Sequence, residues 1–134
     1  MDGLNPQAEQ RLRDELIIWL TTVSPAGQPQ TSPVWFLWNG EEVVIYSLPG
    51  TARTRNIVAN PRVSLNFDGD GQGGAVVTIE GMALVDLEAP ASTEVPAYAA
   101  KYRQKIAGYG WTPESFAADY PIPIRITPTR ARSW

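Results

Sequence analysis

Six consecutive residues, Thr51-Ala52-Arg53-Thr54-Arg55-Asn56, gather two arginines, two hydroxyls and an asparagine where a helix is expected to begin. They follow the strand-forming run Val43-Val44-Ile45-Tyr46-Ser47 and the break Pro49-Gly50. Free backbone N–H groups and the helix dipole favour anions at such a start, and guanidinium forks suit phosphate or carboxylate. The segment therefore reads as a small-molecule anion site. Helical geometry then divides it. At about 100° per residue, Arg53 and Asn56 share nearly one face, while Arg55 points roughly 160° from Arg53. Arg53, near the positive end of the dipole, is the residue expected to meet the ligand, and Arg55 is expected to reach a carboxylate or carbonyl of the fold. Two solvated helix charges are the plain alternative.

Composition narrows the remaining chemistry. The 134 residues suffice for one domain with a real core, and 43% hydrophobic against 19% charged residues indicates a folded globule. A net charge of −3 without any basic run gives no general attraction to nucleic acid or to anionic membranes. The chain contains neither cysteine nor histidine, which excludes disulfides, thiolate nucleophiles, Cys/His zinc sites and the Ser-His-Asp triad. Chemistry must then rest on carboxylates, Lys, Tyr, Ser/Thr or a cofactor. The opening Met1-Asp2-Gly3-Leu4-Asn5-Pro6 has neither the charged nor the apolar region of a signal peptide, and no apolar run reaches membrane-spanning length. A soluble cytoplasmic protein is the expectation.

The elements that must position the cluster can be read in order. Asn5-Pro6 marks the cap and first position of a helix running to about Arg13, with Glu9 and Arg13 expected as an i,i+4 pair. Ile17 to Val23 is β-rich, and Ser24-Pro25-Ala26-Gly27 supplies a turn. A second strand is expected from Gln30 to Trp38, a hairpin at Asn39-Gly40, and a third strand from Glu42 to Ser47. The Arg-bearing helix stops at Asn60-Pro61. Val63, Leu65 and Phe67 alternate with polar residues, and Ala75 to Leu87 forms a long apolar strand with Gly81 at a bulge or bend. Tyr98 and Tyr102 indicate a covering helix, Thr112-Pro113 opens another near Phe116, and Ile122, Ile124 and Ile126 form a last strand whose prolines place it at an edge or bulge. Five to six hairpin-linked antiparallel strands with marginal helices favour a small closed barrel.

Pro33-Val34-Trp35-Phe36-Leu37-Trp38 places three large aromatics in one strand. Alternation puts Trp35 and Leu37 on one side and Val34, Phe36 and Trp38 on the other. The aromatics suit a core face and a subunit interface, or else a flat wall for a planar cofactor ring. Pro33 interrupts the ladder and frees backbone groups that could meet ring heteroatoms. Asp68-Gly69-Asp70-Gly71-Gln72-Gly73 imitates a calcium loop but has Ile79 where a bidentate Glu is needed, so a flexible hairpin loop is expected there. Gly71 to Gly74 precedes a strand rather than a helix and is no dinucleotide fingerprint. Glu41 and Glu42, adjacent after a turn, diverge and cannot form an acid–base pair.

Gly27-Gln28-Pro29-Gln30-Thr31-Ser32-Pro33-Val34-Trp35-Phe36, then Ile45-Tyr46-Ser47, Ala52-Arg53-Thr54-Arg55-Asn56-Ile57 and Asn60-Pro61-Arg62-Val63-Ser64, occur in an order that resembles the pyridoxamine-phosphate-oxidase-like split β-barrel superfamily. More narrowly, they resemble its actinobacterial flavin/deazaflavin branch, which uses coenzyme F-420; the ending Pro123-Ile124-Arg125-Ile126-Thr127-Pro128-Thr129 is similar too. The resemblance spans about residues 12 to 87. It implies a mainly β, split antiparallel barrel of the FMN-binding kind, homodimeric, with two cofactor sites each built from both subunits. It also implies that Arg53, Thr54, Arg55 and Asn56 hold the cofactor phosphate. Ser32, Pro33, Val34 and Trp35 would then lie beside the ring, with Ser47 and Thr51 near the ribityl chain. Arg53 stands where many relatives carry Lys; both cations suit phosphate, but Arg binds it as a fork.

The cofactor would supply the hydride chemistry, so no catalytic side chain is required. The expected activity is an F-420-dependent reductase acting on a small conjugated substrate. An FMN-dependent oxidoreductase on the same barrel and a non-catalytic flavin- or tetrapyrrole-binding protein are the alternatives. Additional cations rimming the groove, with Arg62, Lys101 and Lys105 as candidates, would favour F-420 and its carboxylate-rich tail.

Overall fold

A computed structural model describes residues 1–134. Helix α1 (Pro6–Asp14) opens as its sequence dictates, with the Asn5 side chain accepting the Ala8 N–H at 2.8 Å and Pro6 in the first turn. The i,i+4 pair Ala8 and Leu12 is its buried stripe. The expected Glu9–Arg13 pair does not form: Arg13 donates to Gln10, and Arg11 instead pairs with Glu15 at 3.1 Å. Arg11 also reaches the carbonyls of Ala75 and Asp68, and these longer contacts decide which charge pair the helix makes.

Seven strands follow: β1 (Ile18–Val23), β2 (Pro29–Val34), β3 (Leu37–Trp38), β4 (Val43–Ser47), β5 (Arg62–Asn66), β6 (Val77–Val85) and β7 (Ile122–Ser133). They form one antiparallel sheet in the order β2-β1-β5-β6-β7-β4-β3. The two edge strands, β2 and β3, are consecutive in the chain and separated only by Trp35 and Phe36. The sheet therefore curls round until its edges are joined covalently, but not through a hydrogen-bonded ladder. This is a split barrel rather than the closed one that strand alternation favours, and the single strand expected from Gln30 to Trp38 is two.

The cause of the split lies far along the chain. The Phe36 N–H donates to the Tyr102 hydroxyl at 2.7 Å, and the single proton of that hydroxyl serves the Phe36 and Leu16 carbonyls, each at 2.9 Å. Lys101 donates to the same Phe36 carbonyl at 2.8 Å. With both backbone groups of Phe36 taken, no ladder can pass through it. Side-chain facing nonetheless keeps the strand phase: Val34 and Phe36 enter the barrel core with Trp38 packed on it, while Trp35 and Leu37 pack against the outer cluster of Tyr46, Tyr98, Tyr102, Ile106 and Phe116.

Helix α2 (Ala52–Ala59) lies against β1 and β6, and helices α3 (Pro96–Gly108) and α4 (Pro113–Asp119) cover the outer aromatic cluster. Strand β7 is interior and longer than its isoleucine pattern, because β6 offers it partners as far as Ser133. Pro128 faces Gly81 next to a register shift between Glu80 and Gly81, so that proline marks a bulge and not an edge. A Cβ on Gly81 would lie 2.9 Å from both Ile126 Cγ2 and the Thr127 carbonyl oxygen. Gly81→Ala is accordingly expected to cost roughly 1–3 kcal/mol of stability by overpacking, read as a lower midpoint in urea; an unchanged midpoint would refute the close approach.

The α3 anchor also sets a pH signature. Burial lowers the Lys101 ammonium from its ordinary 10.5 to about 8, against a weaker upward pull from Asp14 and Glu15. Burial pushes the hydroxyls of Tyr98 and Tyr102 well above their ordinary range. Between pH 8 and 10.5 the unfolded lysine binds protons that the folded one has released, so stability rises with pH there. Above the ordinary tyrosine value of 10.0 the unfolded phenols lose protons that the folded ones keep, so stability falls. Unfolding midpoints are expected to rise above pH 8, peak near 10 and then decline. Lys101→Met should abolish the rise and leave the decline.

Candidate cofactor site

Strand β4 ends at Ser47, Gly50 turns the chain with φ 70°, and Thr51 caps α2 by accepting the Thr54 N–H at 3.3 Å. This short connection delivers Arg53 to the free side of β2. Its guanidinium donates to Ser32 at 3.0 Å and to Ser47 at 3.4 Å, while its buried Nε has no partner. Burial pulls the group below its ordinary pKa, with Tyr120 pulling weakly the other way, but an arginine stays charged under such conditions. The molecule's four ion pairs do not include Arg53. A partly desolvated cation with an unmet donor and no carboxylate beside it is a ready anion site.

Beside it opens a cavity of about 260 Å³, lined mainly by Thr22, Gln30, Thr31, Ser32, Thr51 and Arg53. Hydroxyls, one amide and one cation suit a phosphate or a polyol, and no acidic residue opposes them. Asn56 does not line this cavity. It is only 4% exposed, and its amide nitrogen donates to Thr22 at 3.0 Å and to Gln30 at 2.7 Å, so both of its N–H groups are used in orienting two residues that do line it. Thr54 is buried, its hydroxyl donating to the Thr51 carbonyl at 2.8 Å. Ser47 is wholly buried, donates to the Leu48 carbonyl and lies behind Arg53. Arg55 is exposed on the other side of α2, where it donates to the Gly50 carbonyl. The structure thus brings Ser32, Thr51 and Arg53 together, holds Asn56, Thr54 and Ser47 behind them, and turns Arg55 away.

A second cavity, of about 370 Å³, adjoins the first. Pro33, Val34 and Trp35 at the end of β2 form one wall, and Tyr109, Trp111 and Phe116 from the α3–α4 region form another. Trp35 is held flat between Tyr102, whose ring centroid is 4.7 Å away at 3°, and Phe116, at 5.3 Å and 13°. Arg53 lines both cavities, so a polar compartment and an aromatic one meet at its guanidinium.

The edge between them has a defined inventory of hydrogen-bonding groups. Pro29 faces Val23 and Pro33 faces Trp19 across the β1–β2 ladder, with Thr31 in the same phase. Prolines cannot donate to β1, so residues in this phase direct their backbone groups outward. The edge therefore offers the Thr31 N–H and the carbonyls of Pro29, Thr31 and Pro33.

Of the cations suggested for a rim, Lys101 is committed to Phe36, lying 3.7 Å over its ring as well as bonding its carbonyl. Arg62 opens β5, where it faces Met82 of β6, and lines neither cavity. Lys105 alone adjoins the site, 5.8 Å from the Trp35 ring centroid. Glu42 takes part in a structural bridge in which Arg125 spans Glu42 and Asp86 at 2.9 Å each. Sequence reasoning missed Thr22, Gln30, Tyr109, Trp111, Phe116 and Tyr120 as site residues; only the aromatic density after Tyr98 hinted at the last four.

The fold is a split β-barrel in which a polar and an aromatic cavity meet at Arg53. A family model described as pyridoxamine 5'-phosphate oxidase matches residues 4–134. The chain belongs to that family. Among solved structures it is similar to an F420 reductase, with 27% identity and a TM-score of 0.69 over 96% of this chain and 98% of that one. It is also similar in fold to the heme storage protein HutZ of Vibrio cholerae (19% identity, TM-score 0.68, covering 97% and 94%). A FAD-binding protein of Mesorhizobium loti shares the fold as well (19% identity, TM-score 0.68, covering 93% and 87%). No curated protein matches the chain in sequence. No helix is long and apolar enough to cross a membrane.

Proposed function

We propose that the protein is an oxidoreductase that binds a phosphate-bearing deazaflavin, coenzyme F-420, and reduces a small conjugated substrate. The observation that carries this reading is Arg53, an unpaired and partly buried cation where a polyol-sized polar cavity meets an aromatic one. A ligand matching both compartments joins a phosphate to a planar ring through a hydroxylated chain. The cofactor, when bound, supplies or accepts the hydride. The chain's own residues bind and orient it. Arg53 and the start of α2 take the phosphate, Gln30, Ser32 and Thr51 line the path of the chain, and the Thr31 N–H and neighbouring carbonyls face the ring's heteroatoms. Trp35, fixed by Tyr102, sets the plane of the aromatic compartment and excludes water from it.

FMN is the second reading, and one observation favours it: only Lys105 of the three rim candidates adjoins the site, which leaves little to hold a poly-acidic tail. A carrier that binds haem through histidine is excluded, since the chain has none. Apolar Ile17, Leu48, Tyr109 and Trp111 lie exposed around the aromatic cavity, and a second copy of the chain completing the site would cover them. The protein is therefore expected to sediment as a homodimer. Titration of cofactor-free protein with F-420 and with FMN, followed by ligand fluorescence, tests the assignment. Tight FMN binding without F-420 binding would replace the first reading by the second, and failure of both would remove the oxidoreductase.

A further inference from the structure

Strand β4 turns Val43 and Ile45 into the barrel core and Val44 and Tyr46 to the outer cluster. Leu37, paired with Val44 across the β3–β4 ladder, and Val95 at the head of α3 pack on the same cluster. These four side chains form the apolar lining of a third cavity, of about 570 Å³, larger than either cavity at Arg53. Tyr46 is the one residue it shares with the aromatic cavity, and it shares none with the polar one. A volume of this order suits a small-molecule site. Leu37, Val44 and Val95 are only half-buried, so an occupant would remove further apolar surface from water.

The surrounding backbone is fixed by hydrogen bonds. At the β3–β4 turn, Asn39 Oδ1 accepts the N–H groups of Glu41 and Glu42 at 2.9 and 2.7 Å. The connector after β6 supplies another wall. There the Asp86 N–H donates to the Pro123 carbonyl at 3.0 Å and the Ala89 N–H to the Asp86 carbonyl at 3.1 Å. The Tyr46 hydroxyl donates to the Pro90 carbonyl at 2.8 Å and ties this connector to the sheet.

Charge decides what such a cavity takes. Glu42, Asp86 and Glu88 line it against Arg125 alone, which leaves a net of two negative charges. The guanidinium is already committed. Its Nε and Nη2 donate to Glu42 at 3.3 and 2.9 Å, and its Nη1 donates to Asp86 at 2.9 Å. Glu88 takes part in none of the molecule's ion pairs. An apolar lining beside uncompensated carboxylates complements a ligand with an apolar body and a cationic end, and opposes an anionic one.

We propose that this third cavity is a binding site for a small organic ammonium, an amine carried on an aryl or alkyl body, separate from the cofactor site. The body would cover Leu37, Val44 and Val95, with the ammonium among the three carboxylates. The assignment does not rest on the oxidoreductase reading above.

Phenethylamine, phenethyl alcohol and hydrocinnamate are similar in size and are positive, neutral and negative. Titration of each, followed by backbone amide chemical shifts, reads both affinity and place. Phenethylamine is expected to bind roughly ten-fold more tightly than the alcohol, the scale of one charge-assisted contact. Hydrocinnamate should bind more weakly than both, and the shifts should centre on residues 42–46 and 86–90. Raising the salt concentration should narrow the gap. Glu88→Gln removes a charge that the fold's own ion pairs do not use. It should lower phenethylamine affinity about three-fold, the scale of an exposed charge pair, and leave the alcohol unchanged. Ala89→Phe, which fills the cavity from the connector, should weaken amine and alcohol alike. Equal affinity of amine and alcohol, tighter binding of hydrocinnamate, a preference untouched by Glu88→Gln, or indifference to Ala89→Phe would overturn the site. Shifts centred on Ser32 and Arg53, or expulsion of phenethylamine by F-420 or FMN, would overturn it too, by placing the amine in the cofactor's cavities. Phenethylamine binding by protein that takes neither cofactor would sustain the site and sink the oxidoreductase reading, so the two fail separately.

Discussion

Replacing Arg53 with alanine is expected to weaken cofactor binding by roughly 1.5–3 kcal/mol, or about 10- to 150-fold, the range for a hydrogen bond to a charged group. The folded state without ligand should hardly notice. The variant loses two bonds to Ser32 and Ser47 but also relieves the desolvation of a cation whose Nε finds no acceptor. Stability and affinity should thus separate, with the urea midpoint nearly constant while the fluorescence titration shifts. Arg53→Lys keeps the charge and loses the fork, so its affinity should fall between the two. Arg55→Ala supplies the contrast, because Arg55 is turned to the Gly50 carbonyl and touches neither cavity. Unchanged affinity in Arg53→Ala, or a larger loss in Arg55→Ala, would remove the phosphate role.

The second large effect concerns Tyr102. Tyr102→Phe keeps the ring under Trp35 but leaves the buried Phe36 N–H without an acceptor. An orphaned donor of this kind costs about 1–3 kcal/mol, which for a domain of this size lowers Tm by roughly 4–10 °C. Cofactor affinity should be retained, because Lys101 still holds the Phe36 carbonyl and the ring still supports Trp35. Tyr102→Ala goes further, removing a fully buried aromatic at a cost of about 3–5 kcal/mol, and here affinity should fall as well. Calorimetry with cofactor titration on both variants checks the pair. A Tyr102→Phe protein as stable as the parent would show that the strand break has another cause.

Local signals carried much of the fold. The Asn5, Thr51 and Thr112 caps, the positive-φ turn at Gly40, the Gly81 bulge and the opposite facing of Trp35 and Phe36 follow from residues within a few positions of one another. The misreadings have distant causes. Trp35 and Phe36 read as continuous strand because nothing nearby reveals that Tyr102, 66 residues on, will claim the Phe36 backbone. Strand β7 extends to Ser133 because of its partner β6, whereas its own alternation fades after Ile126. The site divides the same way. Helical phase separates Arg53 from Arg55, whereas Thr22 and Gln30, partners across the β1–β2 ladder, are oriented in the site by the distant Asn56 amide. The aromatic wall from α3 and α4 comes from residues with no motif among them, gathered by packing on Trp35.

The prolines of β2 have a consequence beyond the site. A sheet that stops without closing presents a template on which another chain can add a strand. Along the free edge of β2, Pro29 and Pro33 occupy two of the three outward positions, so a docking strand would find a single N–H, that of Thr31, to receive its carbonyls. The groove is thereby kept for small acceptors and donors rather than for polypeptide. A barrel can remain split beside its ligand, at high protein concentration, without growing by strand addition.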